Sequence, residues 1–236
     1  MRRFVVINSK GGCGKTTIAC NLASYYAAAG YNTVLFDHDP QVSTMRWLDL
    51  RSETSPAIKG IAAAKGHASN VTRSFHLRIP PDTERVILDT PASLQRMEIM
   101  DLLRGAHAII VPVLPSAIDA YVSINFVREL LRLARSCAPG VPIGIVANRV
   151  RINTLAFRRL RKEVEALGVP MVSWLRDTQN YVFASEMGMG IHELSGQRVR
   201  KDHEQWEPLI DWLEDPDRQT LPPILKGKDG YYVAPT

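Results

Sequence analysis

Cysteine is scarce in this chain, with three residues, Cys13, Cys20 and Cys137, among 236. They are too few and too scattered for a disulfide framework or a zinc set, and an odd count suits a reducing compartment. Long apolar runs are missing as well. The longest nearly apolar stretch, Ala106 to Ile118, contains Pro112 and Pro115 and reaches about two-thirds of the roughly 20 residues that a spanning helix requires. The start, Met1-Arg2-Arg3, mimics a basic leader, but only Phe4 to Ile7 follow before polar residues resume, so no secretory signal is expected. There is no internal repeat, no low-complexity tract and no Ser/Gly linker. With 45% apolar, 22% charged and 7% aromatic residues, disordered and fibrous classes fall away. Net charge is small, 29 basic against 24 acidic side chains, or +5, and fixes no partner by itself. A soluble cytoplasmic protein is expected, long enough for one substantial domain and short for two.

Short buried runs alternate with helical stretches. Phe4 to Asn8, Thr33 to Phe36, Val86 to Leu88, Ala108 to Val113 and Ile143 to Ala147 are apolar nearly throughout, and Thr16 to Ala29, Ile118 to Ala134 and Thr154 to Leu167 carry helical periodicity. Strands without a polar face must be covered on both sides. The fold class expected is therefore α/β, a three-layer sandwich around a mostly parallel sheet. Ser52 to Asp82 is harder to place, with a helix expected around Ile58 to Ala64. The division expected is one domain over 1–215 and an extended tail over 216–236, with a small hairpin at Lys228-Asp229-Gly230.

The strongest local signal is Ser9-Lys10-Gly11-Gly12-Cys13-Gly14-Lys15-Thr16-Thr17, which follows a buried strand and opens a helix. Glycines at 11, 12 and 14 let backbone amides, Cys13 included, turn inward as an anion nest. The helix N-terminus adds its partial positive charge and Lys15 a full one. Thr16 can place a hydroxyl on Mg²⁺, and Thr17 can bond an α-phosphate. The common pattern G-x-x-x-x-G-K-[ST] would need glycine at position 9, where Ser9 stands, and Lys10 is an additional lysine.

KGGCGKTT resembles the deviant Walker A box, K-G-G-x-G-K-[ST]-[ST], of the ParA/MinD superfamily of dimeric ATPases. The resemblance covers roughly residues 1–195. Asp37-His38-Asp39-Pro40-Gln41 resembles the switch I segment of ParA proteins, which implies that Asp39 orients the attacking water and Asp37 supports the magnesium and the loop. Val86-Ile87-Leu88-Asp89-Thr90-Pro91-Ala92 resembles the Walker B and switch II segment, implying that Asp89 reaches Mg²⁺ through water. Ile110 to Ser116 matches the proline-marked segment after the fourth strand. Asn148 resembles the asparagine that reads the adenine edge, and backbone near Arg176 and Asp177 is expected to complete the adenine pocket. The signature lysine, Lys10, is implied to cross an ATP-dependent homodimer and contact the partner's phosphates, as an arginine finger supplied in trans does. ATP and Mg²⁺ are thus the implied cofactors, and a ParB-like or adaptor protein that stimulates hydrolysis is the implied partner.

Charge distribution bears on the surface such a switch would act upon. From Arg128 to Lys162 there are nine basic residues, Arg128, Arg132, Arg135, Arg149, Arg151, Arg158, Arg159, Arg161 and Lys162, against one acid, Glu129. Arg158, Arg161 and Lys162 share a helix face by their spacing. Together with Arg149, Arg151 and Arg159 they form a candidate surface for non-specific DNA, extended by Arg198, Arg200 and Lys201, which would make the protein nucleoid-associated. MinD-like proteins end in a basic amphipathic helix that sits at a membrane. Here Trp206, Leu209, Ile210 and Leu213 recur at core spacing while Glu204, Glu207, Asp211 and Glu214 form an acidic face, so packing on the domain and no membrane partner are expected. The first strand is read from Phe4, so no N-terminal helix-turn-helix is expected.

The function expected is an ATPase that segregates or positions a cargo, either a plasmid or chromosome locus or a protein assembly such as a carboxysome or chemoreceptor cluster; the resemblance to plasmid partition proteins of similar length makes DNA cargo the first expectation. The alternatives are a MinD-like membrane regulator and a metabolic P-loop enzyme of the cobyrinate-synthesis type, for which no substrate pocket is marked. A reductase like the nitrogenase iron protein would need cysteines after the switch II strand, and none lies between Asp89 and Cys137. A tyrosine-kinase relative would want more tyrosines in its tail than Tyr231 and Tyr232.

Overall fold

The computed structural model describes residues 1–63 and 79–215. Among them, seven parallel strands form one sheet: β1 (Arg2–Val6), β2 (Thr33–Asp37), β3 (Ile58–Ala62), β4 (Arg85–Asp89), β5 (Ala108–Val113), β6 (Ile143–Val150) and β7 (Met171–Arg176), in the order β3-β2-β4-β1-β5-β6-β7. Between the strands run α1 (Lys15–Ala28), α2 (Ser43–Asp49), α3 (Arg96–Leu103), α4 (Ala117–Cys137), α5 (Leu155–Leu167) and α6 (Asn180–Glu186), and α7 (Arg200–Glu214) closes the described chain.

The apolar strands divide their side chains between two cores. Phe4 and Val6 of β1, with Ala108 and Ile110 of β5, pack against α1 and α7, whereas Val5, Ile109, Val111 and Val113 pack against α3, α4 and α5. Each strand residue contributes to one layer or the other by the two-residue pleat, which is why no polar alternation shows in the sequence. The expected three-layer arrangement is present.

Helix boundaries follow local chemistry. Ser116 caps α4 by accepting the Asp119 amide, Thr154 caps α5 by accepting the Phe157 amide, and Gln95 with Glu98 forms a reciprocal capping box on α3. On α7 the expected core positions Trp206, Leu209, Ile210 and Leu213 are buried against the sheet. On its acidic face, Glu214 pairs with Arg2 at 3.1 Å and Arg85 at 2.9 Å.

The helix expected around Ile58 to Ala64 is instead the edge strand β3 over its first five residues, paired in register with β2 from Thr33–Ile58 to Asp37–Ala62. Long-range pairing overrides the local preference of an alanine-containing run. Positions 64–78 and the expected tail at 216–236, with its hairpin, lie outside the described residues. Among the described residues no helix is long and apolar enough to cross a membrane.

Candidate functional site

The sheet order changes direction about β1. The chain passes from β1 outward to β2 and β3, returns with β4 to lie against β1, and then continues on the other side with β5. In an open α/β sheet, the carboxyl ends of the strands at such a reversal are where ligands bind, and the phosphate loop leaves β1 there.

Asn8 starts the loop. It is fully buried, donates from Nδ2 to Pro112 O at 2.6 Å and Ser123 Oγ at 2.9 Å, and accepts the Lys10 amide at 3.1 Å. It ties the loop to β5 and α4. Gly12 and Gly14 have φ of +74° and +97°, a left-handed backbone that L side chains adopt at a cost. α1 begins directly afterward at Lys15, whose Nζ lies 3.2 Å from the Lys10 carbonyl. Gly11 and Gly12 are exposed at the rim, Cys13 is buried beneath it, and Thr17 is half-buried. Burial pushes the Cys13 thiol up, with the Lys15 charge opposing, so it is a packing residue rather than a reactive thiolate.

Strand register gathers the acidic residues. Asp89 of β4 is the partner of Val6 on one side and Asp37 on the other. Both carboxylates are fully buried, but their environments differ. Asp37 is saturated: Oδ1 accepts the Asp39 amide at 2.9 Å, and Oδ2 accepts the Thr44 amide at 2.9 Å and hydroxyl at 2.6 Å. It shapes the segment that carries Asp39. Asp89 accepts Thr16 Oγ1 at 2.7 Å through Oδ2, while its Oδ1 is buried with no hydrogen-bond partner. Burial drives its pKa up to about 7, with Thr16 opposing and Asp37 adding to the rise. A cation beside this pair would return Asp89 to its charged form.

Magnesium fits this arrangement. Among the described residues no group of three or more His, Cys, Asp or Glu side chains is placed to cage a metal. Mg²⁺ in nucleotide sites is held instead by phosphates, waters and one or two protein oxygens, and it neutralises charge developing on the transferred phosphoryl group. The Thr16 hydroxyl and the orphaned Asp89 oxygen are such protein groups, with Asp37 behind them.

Asp39 is half-buried and accepts the Gln41 amide at 2.9 Å. Val42, three residues on, has φ +48°, unusual for a β-branched residue. Such strain is characteristic of segments held for function. Arg149, immediately after Asn148, is similarly left-handed at φ +52°.

Asn148 is used at both ends of its amide. Nδ2 donates to Cys13 O at 2.9 Å, and Oδ1 accepts the Arg149 amide at 2.9 Å. A Cβ on Gly14 would come within 2.1 Å of its Nδ2. In this conformation Asn148 clamps the end of β6 to the phosphate loop. Arg176 ends β7, with its side chain paired to Asp202 of α7 and its amide donating to Gln205 Oε1 at 3.0 Å. Asp177 pairs with Arg151 at 3.1 Å, and its amide donates to Val150 O at 3.3 Å. Asn8, Thr44 and Asp202, the side chains that position these groups, were not identified from sequence. An asparagine ending the first strand was the one available signal.

The basic residues separate into two groups. Arg158, Arg159 and Lys162 are exposed on α5, with Leu160 and Val164 buried beneath. Arg161 is half-buried and its pKa is lowered by that burial, with Glu165 opposing. Two exposed acids, Glu163 and Glu165, lie just beyond the basic run. Arg149 and Arg151 are exposed, and Arg151 is engaged by Asp177. Arg200 and Lys201 are exposed at the start of α7, while Arg198 covers the Phe183 ring at 4.7 Å. Because α5 and α7 pack on opposite faces of the sheet, these last three do not continue the α5 face.

A phosphate-binding loop at the reversal of a parallel sheet, with two aspartates in register beside it, defines a P-loop nucleotide-binding domain. The chain belongs to the CobQ/CobB/MinD/ParA nucleotide binding domain family, whose model matches residues 4–191. It is 31% identical over 209 residues to "Maintenance of carboxysome distribution protein A" from Halothiobacillus neapolitanus, covering 88% of this chain and 94% of that one. It is 25% identical to the chromosome-partitioning ATPase Soj from Thermus thermophilus, covering 80% and 86%. Among solved structures, a Cyanothece McdA variant in complex with ATP shares the fold, with a TM-score of 0.63, 16% identity and coverage of 89% and 96%.

Proposed function

We propose that this protein is an ATP-driven positioning ATPase. The observation that carries the reading is the near full-length match to a carboxysome-distribution protein, combined with a loop whose additional lysine, Lys10, is not needed inside its own nest. Lys15 occupies that nest. Lys10 is thereby available to a second copy, where it would contact the partner's phosphates and make dimerisation depend on ATP. The Thr16–Asp89 pair holds Mg²⁺, Asp39 orients the attacking water, and hydrolysis releases the dimer. Asn148 and the backbone at Arg176 and Asp177 receive the adenine once nucleotide displaces the clamp on Cys13.

The dimer binds non-specific DNA through Arg158, Arg159 and Lys162, with Arg149, Arg151 and Arg161 at the margin. An adaptor protein links it to cargo and stimulates hydrolysis, and the nucleoid is the working surface. A protein assembly is the cargo this reading favours, since the relative with that role is matched over more of its length. The match to Soj supports a DNA locus as the second reading.

The test is a DNA shift titrated with salt in ATP and in ADP, alongside phosphate release with and without DNA. Three exposed basic side chains per protomer, doubled in a dimer, give a log–log salt slope of about −5, at about 0.9 per neutralised phosphate. Binding only with ATP, weakened by charge reversal at Arg158 and Lys162, is the expected result. Equal binding in both nucleotides, or none in either, would refute the reading.

A further inference from the structure

The Lys10 side chain has a partner on its own chain. Its ammonium crosses from the loop to the first turn of α4 and lies 3.0 Å from Asp119 Oδ1. The carboxylate is itself fixed. Asp119 donates its amide to Ser116 Oγ at 3.2 Å and accepts the Ser116 hydroxyl on Oδ2 at 2.5 Å, leaving Oδ1 for the lysine. Ser116 first, and Lys10 second, hold the Asp119 carboxyl below its usual range, so it is ionised at any working pH. A carboxylate at the start of a 21-residue helix is also favoured by the helix dipole. The pair is only partly shielded, with side-chain exposures of 35% and 20%, so it is strong enough to bias Lys10 and weak enough to exchange.

The surroundings support an exchange at this place. Ile118, Tyr121 and Val122 share one face of α4 by i, i+3 and i+4 spacing and are 78%, 68% and 37% exposed. Exposed apolar side chains grouped in this way are a feature of surfaces that another protein covers.

We propose that Asp119 is the positioning residue for Lys10, an anchor on its own chain that holds the lysine until a second copy of this chain brings nucleotide phosphates within its reach. The inference rests on the reading that Lys10 acts in trans. Lys10 then has two alternative partners, the Asp119 carboxylate of its own protomer and the phosphates bound by the other. The strength of the first sets how readily the dimer forms. Removing the charge favours the second.

The experiment measures the dimer dissociation constant of the full chain by sedimentation with saturating non-hydrolysable ATP analogue, for wild type, Asp119→Asn, Asp119→Glu and Lys10→Ala. Releasing a partly exposed ion pair is worth about threefold per protomer, so Asp119→Asn tightens the symmetric dimer about tenfold. Asp119→Glu restores the carboxylate and stays within about twofold of wild type, a rescue that lost helix capping would not give. An unchanged or weaker dimer in Asp119→Asn, or an Asp119→Glu protein indistinguishable from it, overturns the proposal. Lys10→Ala separates the two layers. If it dimerises normally with the analogue, the trans-lysine reading fails and this inference with it; if it stays monomeric while Asp119→Asn equals wild type, the anchor alone fails.

Discussion

Gly14→Ala perturbs the phosphate loop in two separable ways. The residue has φ +97°, so any Cβ incurs the left-handed penalty of about 1–2 kcal/mol. That Cβ would also lie 2.1 Å from Asn148 Nδ2, which must move and break its bond to Cys13 O. Stranding that buried acceptor costs about 1–3 kcal/mol, and the two effects together amount to about 3 kcal/mol. Gly12 is the internal control, with φ +74° and nothing within 4 Å of a built Cβ. Gly12→Ala should therefore show the backbone penalty alone, about 1–2 kcal/mol. Urea unfolding of both variants, and of Gly14→Ala in an Asn148→Ala background, measures the difference. The cost of Gly14→Ala should fall toward that of Gly12→Ala once Asn148 is gone, a coupling of about 1–2 kcal/mol. Equal cost in both backgrounds would show that Asn148 does not clamp the loop.

Other perturbations address groups outside the phosphate loop. His192 packs among Tyr25, His203 and Trp206 with ring centroids 4.9, 5.3 and 5.7 Å away, and burial, helped by His203, lowers its pKa to about 4. The unfolded chain then binds the proton first, so stability is complete above the ordinary histidine range and falls as pH drops from about 6.5 to about 4, by up to ~3 kcal/mol. Asp89, raised to about 7, acts in the opposite sense between its unfolded value and neutrality. The contribution of His192 is therefore measured as a difference: relative to wild type, His192→Phe should gain up to ~3 kcal/mol as pH falls from about 6.5 to about 4, and a parallel profile would contradict this. Asp202 is fully buried and accepts Arg176 Nη2 at 2.9 Å and Asn180 Nδ2 at 2.6 Å. Asp202→Asn leaves Arg176 without its counter-charge and should cost about 3 kcal/mol, or about 6–12 °C in a thermal melt; a shift under a few degrees would show that water replaces the pair. Asp39→Ala should bind ATP and release no phosphate, and normal release would remove Asp39 from the reaction.

The parallel sheet was legible because Phe4 to Asn8, Val86 to Leu88 and Ala108 to Val113 have no polar face and therefore demand two covering layers. The loop was legible because glycines and lysine at fixed spacing have few other uses. β3 was not, since Ile58 to Ala62 has no period of its own and becomes a strand only by pairing with β2. Asn8, Thr44, Asp119 and Asp202 were equally hidden. Each acts on groups brought close by the fold, Asn8 on Pro112 and Ser123, Thr44 on Asp37 and Asp202 on Arg176, and no local spacing signals such a contact. Charge counted along the chain misled in part: Arg198, Arg200 and Lys201 belong with the other face of the sheet, and Glu163 and Glu165 follow directly on the basic run.

The central claim is that ATP assembles two copies through Lys10 and hydrolysis separates them. Light scattering of the Asp39→Ala protein with ATP, with ADP and in combination with Lys10→Ala tests it most directly. A dimer of about twice the 26.3 kDa chain mass in ATP, a monomer in ADP, and a monomer in ATP once Lys10 is removed is the predicted result. A dimer that persists in ADP or without Lys10 would contradict it.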